Sequence, residues 1–232
     1  MIERIEKKHL THSERMYELP CSVCGKIYKS ESTLGRPYLC SDKCKADLKI
    51  IKEKEAEIRK QEQIKIVIER EIPPKYLTIK TDKVDMLEKN YKNSLFITGP
   101  VGCGKTVFMA SMAKKTIKSW MNIRWISYPS FIMSLQNAYK KDKESPYDMA
   151  EDVARFSGFL FIDDLAAEKL TDFVRQMTYY ILNEREQYCL PTIITSNFSL
   201  DEIDQYVDSR VSSRIGGMCK VLKFSGSDRR LT

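Results

Sequence analysis

The sequence contains no long apolar run. Its first sixteen residues, MIERIEKKHLTHSERM, are charged from the start and lack the apolar core of a secretory signal peptide. No window comes near the roughly 18 uncharged, apolar residues that a membrane-spanning helix needs. These two absences lead us to expect a cytoplasmic protein with no membrane partner.

The chain also contains no internal repeat and no low-complexity segment. Of its 232 residues, 42% are hydrophobic and 31% are charged, a composition that is ordinary for a soluble globular protein. This length allows one medium-sized domain with its own core and a small additional module. The formal net charge of +7 permits a polyanionic partner without demonstrating one.

Three stretches of different character predict three parts of the chain. Residues 1–45 contain a cluster of cysteines and little apolar periodicity. Residues 46–71 are dense in Lys, Glu and Ile and contain neither Gly nor Pro, which favours a solvated helix that connects two modules. Ile72-Pro73-Pro74 ends this helix. We therefore assign residues 72–232 to the main domain.

From about residue 90, short apolar runs alternate with longer amphipathic segments. The predicted strands span 94–98, 123–128, 159–162, 191–196 and 220–224, and the predicted helices span 105–120, 131–141, 172–188 and 201–215. Strands that alternate with helices indicate an α/β domain whose parallel sheet is covered on both faces. Ligands bind to such sheets beyond the carboxyl ends of the strands.

The sequence GPVGCGKT lies directly after the first of these strands and opens the following helix. It fits the pattern G-x-x-x-x-G-K-[ST], in which glycines let the backbone wrap around phosphate oxygens and the helix N-terminus contributes free N–H groups. We expect ATP to be bound by Gly99, Pro100, Val101, Gly102, Cys103, Gly104, Lys105 and Thr106. Lys105 should reach the β- and γ-phosphates, and Thr106 should ligate Mg²⁺.

Two further strands end in polar residues that should face this loop. The apolar run Phe159–Ile162 is followed by Asp163, which we expect to hold Mg²⁺, and by Asp164, which is placed to orient or deprotonate the attacking water. Many enzymes of this kind carry Glu at the second position, and Asp is one methylene shorter. Asn197, which follows another apolar strand, could donate a hydrogen bond to the γ-phosphate or to that water.

Arg210 and Arg214 are four residues apart and should share one face of a helix. Asp208 and the more distant Asp204 are the only acidic residues nearby on that face. An arginine without an acidic partner, at the end of a helix and before Gly-Gly, favours contact with a phosphate in a neighbouring subunit. The alternative is a cationic helix C-terminus that complements the helix dipole.

Four cysteines form two close pairs, with the spacing C-x₂-C, fifteen residues and C-x₃-C. Thiols stay reduced in the cytosol, so this spacing favours a metal over disulfides. The predicted ligands of a structural Zn²⁺ are Cys21, Cys24, Cys40 and Cys44. A closed site of four thiolates has no open position for a substrate, which argues against catalysis by this metal. Interspersed acids and few aromatic residues make a weak nucleic-acid footprint, so we favour protein docking over nucleic-acid binding.

The motifs GPVGCGKT, FLFIDDL, TIITSN, RVSSRI and SDRR occur in this order between about residue 72 and the end of the sequence. Together they resemble the AAA+ ATPases of the bacterial helicase-loader group, the DnaC/DnaI type, with the IstB transposition helpers as close relatives. The resemblance implies a P-loop AAA+ core, whose central parallel sheet would contain the five predicted strands. The sequence departs from the family by stopping at Thr232, just after SDRR, so we expect any helical lid to be minimal. The resemblance also implies that Asn197 is the sensor-1 residue, that Arg214 is an arginine finger acting in trans, and that Arg229 is a sensor-2 arginine at the ATP.

What the resemblance implies about activity is an ATPase that loads a replicative DNA helicase onto single-stranded DNA. ATP-bound subunits would form a homo-oligomer that grips the DNA, while the zinc module docks the helicase. The main alternative is an IstB-type transposition helper that remodels duplex DNA. A binding adaptor with a vestigial nucleotide site is a third hypothesis, but the intact Lys105, Thr106, Asp163, Asn197 and Arg214 argue against it.

Lysines on two predicted helices are the candidate DNA contacts. Single-stranded DNA is bound by basic groups along a groove together with stacking side chains. The candidates are Lys114, Lys115 and Lys118 on the helix after the phosphate loop, and Tyr139, Lys140, Lys141 and Lys143 on and after the helix 131–141. The alternative is that these lysines belong to the solvated surface of amphipathic helices.

Overall fold

The structure is a computed structural model that describes residues 17–30, 39, 41–79, 94–141, 145–166, 171–226 and 228. The strands are β1 (Tyr17–Pro20), β2 (Ile27–Ser30), β3 (Ser94–Thr98), β4 (Ile123–Ser127), β5 (Phe159–Leu165), β6 (Thr192–Ser196) and β7 (Cys219–Lys223). The helices are α1 (Asp42–Glu71), α2 (Lys105–Lys118), α3 (Tyr128–Lys141), α4 (Pro146–Ala154), α5 (Asp172–Gln187), α6 (Leu200–Tyr206) and α7 (Ser209–Met218), with a short 3₁₀ helix at Pro74–Tyr76. The chain divides into two compact units, Met1–Gln63 and Ile64–Thr232.

The first unit contains a two-stranded hairpin and most of α1. β1 and β2 pair antiparallel. Their connection turns tightly, because the N–H of Gly25 donates to the carbonyl of Cys21 at 2.9 Å and Gly25 has a φ of 73°, which favours glycine. α1 starts at Asp42, four residues before the predicted start at 46. The hydroxyl of Ser41 accepts a hydrogen bond from the N–H of Cys44 at 3.2 Å and caps this helix.

α1 continues into the second unit, where its last turns are apolar on one side. Ile64 is buried in a hydrophobic cluster of that unit, and Val67 and Ile68 pack against the same cluster. Ile72, only 1% exposed, follows the helix, and Pro73 prevents its continuation. Although α1 has 30 residues, neither it nor any other described helix is long and apolar enough to cross a membrane.

Five strands of the second unit form one parallel sheet in the order β4-β5-β6-β3-β7. The predicted α/β fold with a five-stranded parallel sheet is thereby confirmed. β3 pairs with β6 on one side and with β7 on the other. Because all five strands run in the same direction, their carboxyl ends meet at one edge of the sheet. The residues that follow β3, the acidic end of β5 and the residue after β6 therefore come together.

Both faces of the sheet are buried, which explains why its strands read as continuous apolar runs. Along the inner strands, successive side chains enter two different hydrophobic clusters. One cluster contains Phe96, Leu160, Ile162 and Ile194, and the other contains Ile97, Phe161 and Ile193. Helices α3 to α7 cover the first cluster, and α2 with the end of α1 covers the second.

The sequence patterns do not predict α4, although its start has the usual signals. The hydroxyl of Ser145 accepts a hydrogen bond from the N–H of Asp148 at 3.4 Å, and Pro146 occupies the first turn. Ala150 and Val153 then pack into the first cluster. A helix of nine residues offers too few turns for its apolar period to stand out in the sequence.

The helix predicted for 201–215 is in fact two helices, α6 and α7. The carboxylate of Asp208 accepts a hydrogen bond from the N–H of Arg210 at 2.8 Å and so starts a new helix at Ser209. α7 then continues to Met218, and Gly216 and Gly217 therefore lie within a helix rather than beyond its end.

A buried arginine on α5 forms hydrogen bonds with several other segments of the second unit. Arg185 of α5 is 0% exposed. At 2.7–3.3 Å its guanidinium donates to the hydroxyl of Thr192 and to the carbonyls of Val153, Ala154, Phe156, Gly158 and Pro191. All six acceptors are neutral, and burial lowers the pKa of Arg185 to about 10. This side chain therefore satisfies the backbone of the turns that enter β5 and β6.

Candidate nucleotide-binding site

The loop Gly99–Gly104 lies between the central strand β3 and the start of α2, as a phosphate loop requires. Gly102 and Gly104 have φ values of 74° and 99°, which glycine adopts without a steric penalty. Gly99 also has to lack a side chain, because a Cβ there would lie 2.3 Å from the carbonyl oxygen of Phe224. The glycines of the motif therefore set the path of this loop.

The ammonium of Lys105, on the first turn of α2, lies within the loop. The residue is 4% exposed, and its Nζ lies 2.8 Å from the carbonyl oxygens of Gly99 and Pro100. Nζ also lies 2.8 Å from Oδ1 of Asn197, at the end of β6. The structure thus brings the predicted phosphate-binding lysine into contact with the predicted sensing asparagine.

A second set of contacts links the start of α2 to β5 and β6 through Asp163. Oδ1 of Asp163 accepts hydrogen bonds from the hydroxyls of Thr106 at 3.0 Å and Thr195 at 2.7 Å. Asp163 is 8% exposed, and burial raises the pKa of its carboxyl group to about 6. The hydrogen bond from Thr195 opposes that rise, and the negative charge of Asp164 adds to it. The two threonines therefore hold the acid in one orientation.

Asp164 occupies the last part of β5 and lines the same cavity as the loop. The pairing of β5 with β6 shifts between Ile162 and Leu165, and Asp164 adopts a left-handed φ of 57°. Its N–H donates to Oγ1 of Thr195 at 2.9 Å, which stabilises this backbone. Asp accepts the left-handed region better than most residues. Because of this irregularity, Asp163 bonds to the two threonines, whereas Asp164 lines the cavity.

A cavity of about 380 Å³ connects the loop with an apolar region. Its polar part is lined by residues of the loop with Lys105, Thr106, Asp164 and Asn197, and its other part by Lys75, Tyr76, Ile79, Phe108 and Phe224. The rings of Phe108 and Phe224 pack edge to face with centroids 5.2 Å apart. A cation and a helix N-terminus beside a largely apolar wall suit a ligand with phosphates at one end and a base at the other.

The hydroxyl of Thr106 and the carboxylate of Asp163 offer adjacent oxygen donors for a metal ion. Mg²⁺ prefers such hard oxygen ligands and is usually bound through one or two of them together with phosphate oxygens. This donor set fits Mg²⁺ that arrives with a nucleotide.

A sequence model for the family described as "IstB-like ATP binding protein" matches residues 46–231. The chain belongs to this ATP-binding family. The match includes the phosphate loop and the strand ends that carry Asp163 and Asn197. The resemblance inferred from the motifs is thereby confirmed, and the chain is an ATP-binding protein with a P-loop.

The replicative helicase loader DnaI of Bacillus subtilis (strain 168) is similar to this IstB-like chain. The two are 25% identical over 149 residues, which make up 59% of this chain and 47% of the DnaI sequence. This chain thus spans about half the length of that relative.

Solved structures share the fold of this IstB-like chain. A crystal structure of the DnaC helicase loader has a TM-score of 0.55 and 20% identity, over 66% of this chain and 100% of that chain. A crystal structure of DnaI has a TM-score of 0.55 and 18% identity, over 69% and 94%. DnaA from Aquifex aeolicus bound to AMPPCP has a TM-score of 0.54 and 20% identity, over 66% and 51%. At these identities the likeness establishes the fold alone, in agreement with the predicted AAA+ core.

Arg214 of the IstB-like domain has an acidic partner, which corrects the expectation that it is unpaired. Its Nη1 lies 2.6 Å from Oε2 of Glu186 on α5, and Arg210 pairs with Asp208 at 2.8 Å. The expectation considered only one helix face, whereas Glu186 is 28 residues away in the sequence and meets α7 by packing. Both guanidinium groups also lie over the ring of Tyr179, at 5.0 and 5.8 Å from its centroid.

The pair between Arg214 and Glu186 is partly open to solvent, with side-chain exposures of 36% and 26%. The hydrogen bond that Arg214 donates to Glu186 is the main reason that the pKa of Arg214 is raised. Gly217 makes room for the acid, because a Cβ at this position would lie 2.4 Å from Oε1 of Glu186. The pair thus fixes where Arg214 presents its guanidinium.

Three of the four predicted zinc ligands lie together in the first unit. The ligand atoms of Cys21, Cys24 and Cys44 are all within 4.8 Å of one another, and the sulfurs of Cys24 and Cys44 are 3.7 Å apart. Sulfurs that share a tetrahedral zinc with bonds of about 2.3 Å are separated by a similar distance. The three thiols therefore fit Zn²⁺, and the fourth predicted ligand, Cys40, lies outside the described residues.

Several predicted residues cannot be placed in this site. Arg229 and Lys143 lie outside the described residues, and the side chains of Tyr139, Lys140 and Lys141 are not described. On α2, Lys118 is exposed and Lys115 is half-buried.

Two residues beside the site have contacts that the sequence patterns do not predict. Thr195 is 0% exposed and bonds to both aspartates of β5. Its place as a polar residue within the apolar run TIITS was the one sign in the sequence that it makes such contacts. Lys114, a predicted DNA contact, instead donates to the carbonyls of Tyr76, Leu77 and Ile79. Its direction depends on the packing of α2 and leaves no signal in the sequence.

Proposed function

We propose that this chain hydrolyses ATP. The observation that carries the proposal is the contact network at the carboxyl end of the sheet. There Lys105 bonds to Asn197, and Thr106 bonds to Asp163. These residues come from separate elements of the fold, and their types are those that phosphoryl transfer to water requires. Membership of an ATP-binding family supports ATP as the nucleotide.

Each residue has a distinct task in the proposed reaction. The loop N–H groups and Lys105 bind and orient the β- and γ-phosphates. Asp164, with its carboxyl group in the cavity, orients the attacking water and accepts its proton, while the amide of Asn197 holds the water or the γ-phosphate in line. Thr106 and Asp163 hold Mg²⁺, which supplies neutralising charge to the phosphates when it is bound.

The same proposal includes a homo-oligomer in which Arg214 reaches the nucleotide of a neighbouring subunit. A guanidinium that meets the developing charge on the phosphoryl group lowers the barrier to hydrolysis. Glu186 occupies one side of Arg214 but leaves it 36% exposed, which is compatible with contact in trans. Arg229 would contact the ATP of its own subunit. Isolated subunits should then hydrolyse ATP slowly.

We further propose that the ATPase loads a replicative DNA helicase onto single-stranded DNA. The similarity to DnaI, described as a replicative helicase loader, supports this function over other roles for the fold. The net charge of +7 favours a polyanionic partner. Lys115 and Lys118 are candidate DNA contacts of the main domain.

The proposed division of labour places helicase docking in residues 1–45, a connecting helix in 46–71 and ATP-dependent DNA binding in 72–232. Zn²⁺ bound by Cys21, Cys24, Cys40 and Cys44 would stabilise the docking module, which is too small to have a large core of its own. The proximity of three of these thiols supports the zinc assignment.

Co-elution of the full chain with the replicative helicase of its organism tests this function. The unmodified chain should bind the helicase and deliver it to single-stranded DNA circles in the presence of ATP. Lys105→Ala should bind the helicase but fail to load it, because it lacks the phosphate-binding ammonium. Cys44→Ser should lose the helicase. If Cys44→Ser still bound the helicase while Lys105→Ala did not, the docking surface would belong to the ATPase domain.

An IstB-type transposition helper is the second candidate, because the matching family carries that name. Such a protein would act on duplex DNA. The ATPase rate measured with single-stranded and with duplex DNA separates the two functions. Stimulation by duplex DNA alone, without binding to a helicase, would favour the transposition helper.

A further inference from the structure

Lys114 points toward the segment that precedes β3. It lies on α2, nine residues after Lys105, and its Nζ donates to the carbonyls of Tyr76, Leu77 and Ile79, the last two at 2.8 Å. An ammonium has three N–H donors, and three carbonyl oxygens match that number. Such charge-assisted hydrogen bonds are stronger than neutral ones.

The segment held by Lys114 is also a wall of the nucleotide cavity. Lys75, Tyr76 and Ile79 line the cavity at its apolar part. The regular structure of the segment is one short 3₁₀ helix, Pro74–Tyr76, and its backbone bonds span three residues each, a geometry weaker than that of an α-helix. The ring of Tyr76 stacks on Trp125 with centroids 6.3 Å apart, which holds the segment from the sheet side.

α2 therefore contacts both parts of the cavity. Its first turn carries Lys105 and Thr106 for the phosphates, and Lys114 follows about 13 Å further along the helix axis at 1.5 Å per residue. Because a helix is stiff, the position of Lys114 sets the position of the segment 76–79 relative to the phosphate loop.

We propose that Lys114 is a positioning residue for recognition of the nucleotide base. It acts through the carbonyls of Tyr76, Leu77 and Ile79, which it holds in place, and it does not touch the phosphates. This inference rests on the proposed nucleotide site. Its consequence is specific: removal of the ammonium weakens the binding of a nucleotide but not the binding of a phosphate chain without a base.

Calorimetric titration of the full chain with Mg²⁺-ATP and, separately, with Mg²⁺-tripolyphosphate tests the proposal. Lys114→Met keeps the length of the side chain and removes the donors, and we expect its ATP affinity to fall about tenfold or more. Its tripolyphosphate affinity should stay within about twofold of the unmodified chain. Lys114→Arg keeps the charge and N–H donors, although in a planar group, and should recover part of the ATP affinity. Lys220→Met, an exposed lysine of β7, should change neither affinity.

Two results would overturn the proposal. Unchanged ATP affinity in Lys114→Met would show that the segment 76–79 does not need this lysine. An equal loss for ATP and tripolyphosphate would show a general effect on folding. If Lys114→Met does not fold, Lys114→Gln, which keeps two N–H donors without the charge, provides the same comparison. Failure of the nucleotide site itself has a different signature, because the unmodified chain would then bind neither ligand.

Discussion

The buried, ionised carboxyl group of Asp163 should lower the free energy of unfolding of the nucleotide-free protein. Its pKa is raised from 3.8 to about 6, chiefly by burial. Above pH 6 the carboxyl group is ionised in both the folded and the unfolded chain, and burial penalises the ionised form only in the folded one. The difference in pKa corresponds to about 3 kcal/mol of stability lost at pH 8. Below pH 3.8 the group is protonated in both states and the penalty disappears.

Asp163→Asn removes this charge with little change in shape. Both hydrogen bonds to the carboxylate, from Thr106 and Thr195, end on the same oxygen, Oδ1. The amide oxygen of Asn can accept both. We therefore expect the variant to be more stable than the unmodified chain by up to about 3 kcal/mol at pH 8, and the gain to shrink as the pH falls from 6 to 4. If Asp163 holds Mg²⁺ as proposed, ATP hydrolysis should also be lost, because the amide oxygen of Asn carries no charge.

Urea unfolding without nucleotide or Mg²⁺, followed by tryptophan fluorescence, measures this difference. The two tryptophans, Trp120 and Trp125, both lie in the second unit and so report on the part that contains Asp163. Asp204→Asn, an exposed change on α6, is a control and should alter the free energy of unfolding by less than about 0.5 kcal/mol. A variant Asp163→Asn that is less stable at pH 8, or whose gain is the same at pH 4, would refute the reasoning.

Three further changes have defined outcomes. Arg185→Met removes the side-chain donor of five carbonyls, of which that of Pro191 keeps the N–H of Leu160. It should lower the free energy of unfolding by at least about 3 kcal/mol, or the melting temperature by roughly 6–12 °C. A chelator should release about one Zn²⁺ per chain from the purified protein; Cys44→Ser should carry much less metal, whereas Cys189→Ser should carry the normal amount. Arg214→Ala should bind ATP normally, unlike Lys105→Ala, but should lose at least about tenfold of the ATPase rate that appears at high protein concentration; a full rate would exclude the finger role.

The sheet and the phosphate loop could be predicted because their signals are local. Strands buried on both faces are short apolar runs, and the loop is one contiguous motif that only a strand and a helix can flank. The strand ends with Asp163 and Asn197 followed from the shared direction of parallel strands. Asp163 and Lys105 belong to different strand-to-helix units. The alternation of strands and helices in the sequence already predicted the parallel sheet that brings them into one site.

The contacts that the sequence did not predict are those between distant elements. Arg185 follows Ile181 by four residues on the side of α5 that also carries Val174 and Thr178 and is buried. This spacing was a usable sign that Arg185 is buried. Glu186 is the next residue and points instead to α7. Nothing in the spacing shows that it meets Arg214, because the crossing of two helices depends on their packed side chains.

Because Lys105 already bonds to Asn197, a phosphate that binds to Lys105 would replace an existing hydrogen bond. The ammonium already has acceptors of its own, so an incoming phosphate competes with an internal ligand, and the measured affinity is a difference between two sets of bonds. Loss of the bond to Lys105 would leave the side-chain oxygen of Asn197 to find another donor. The next residue, Phe198, accepts a hydrogen bond from Thr98 at 2.6 Å and leads directly into α6. If the proposed nucleotide takes the ammonium away from Asn197, its binding would change the contacts at the end of β6 before any bond in the nucleotide is broken.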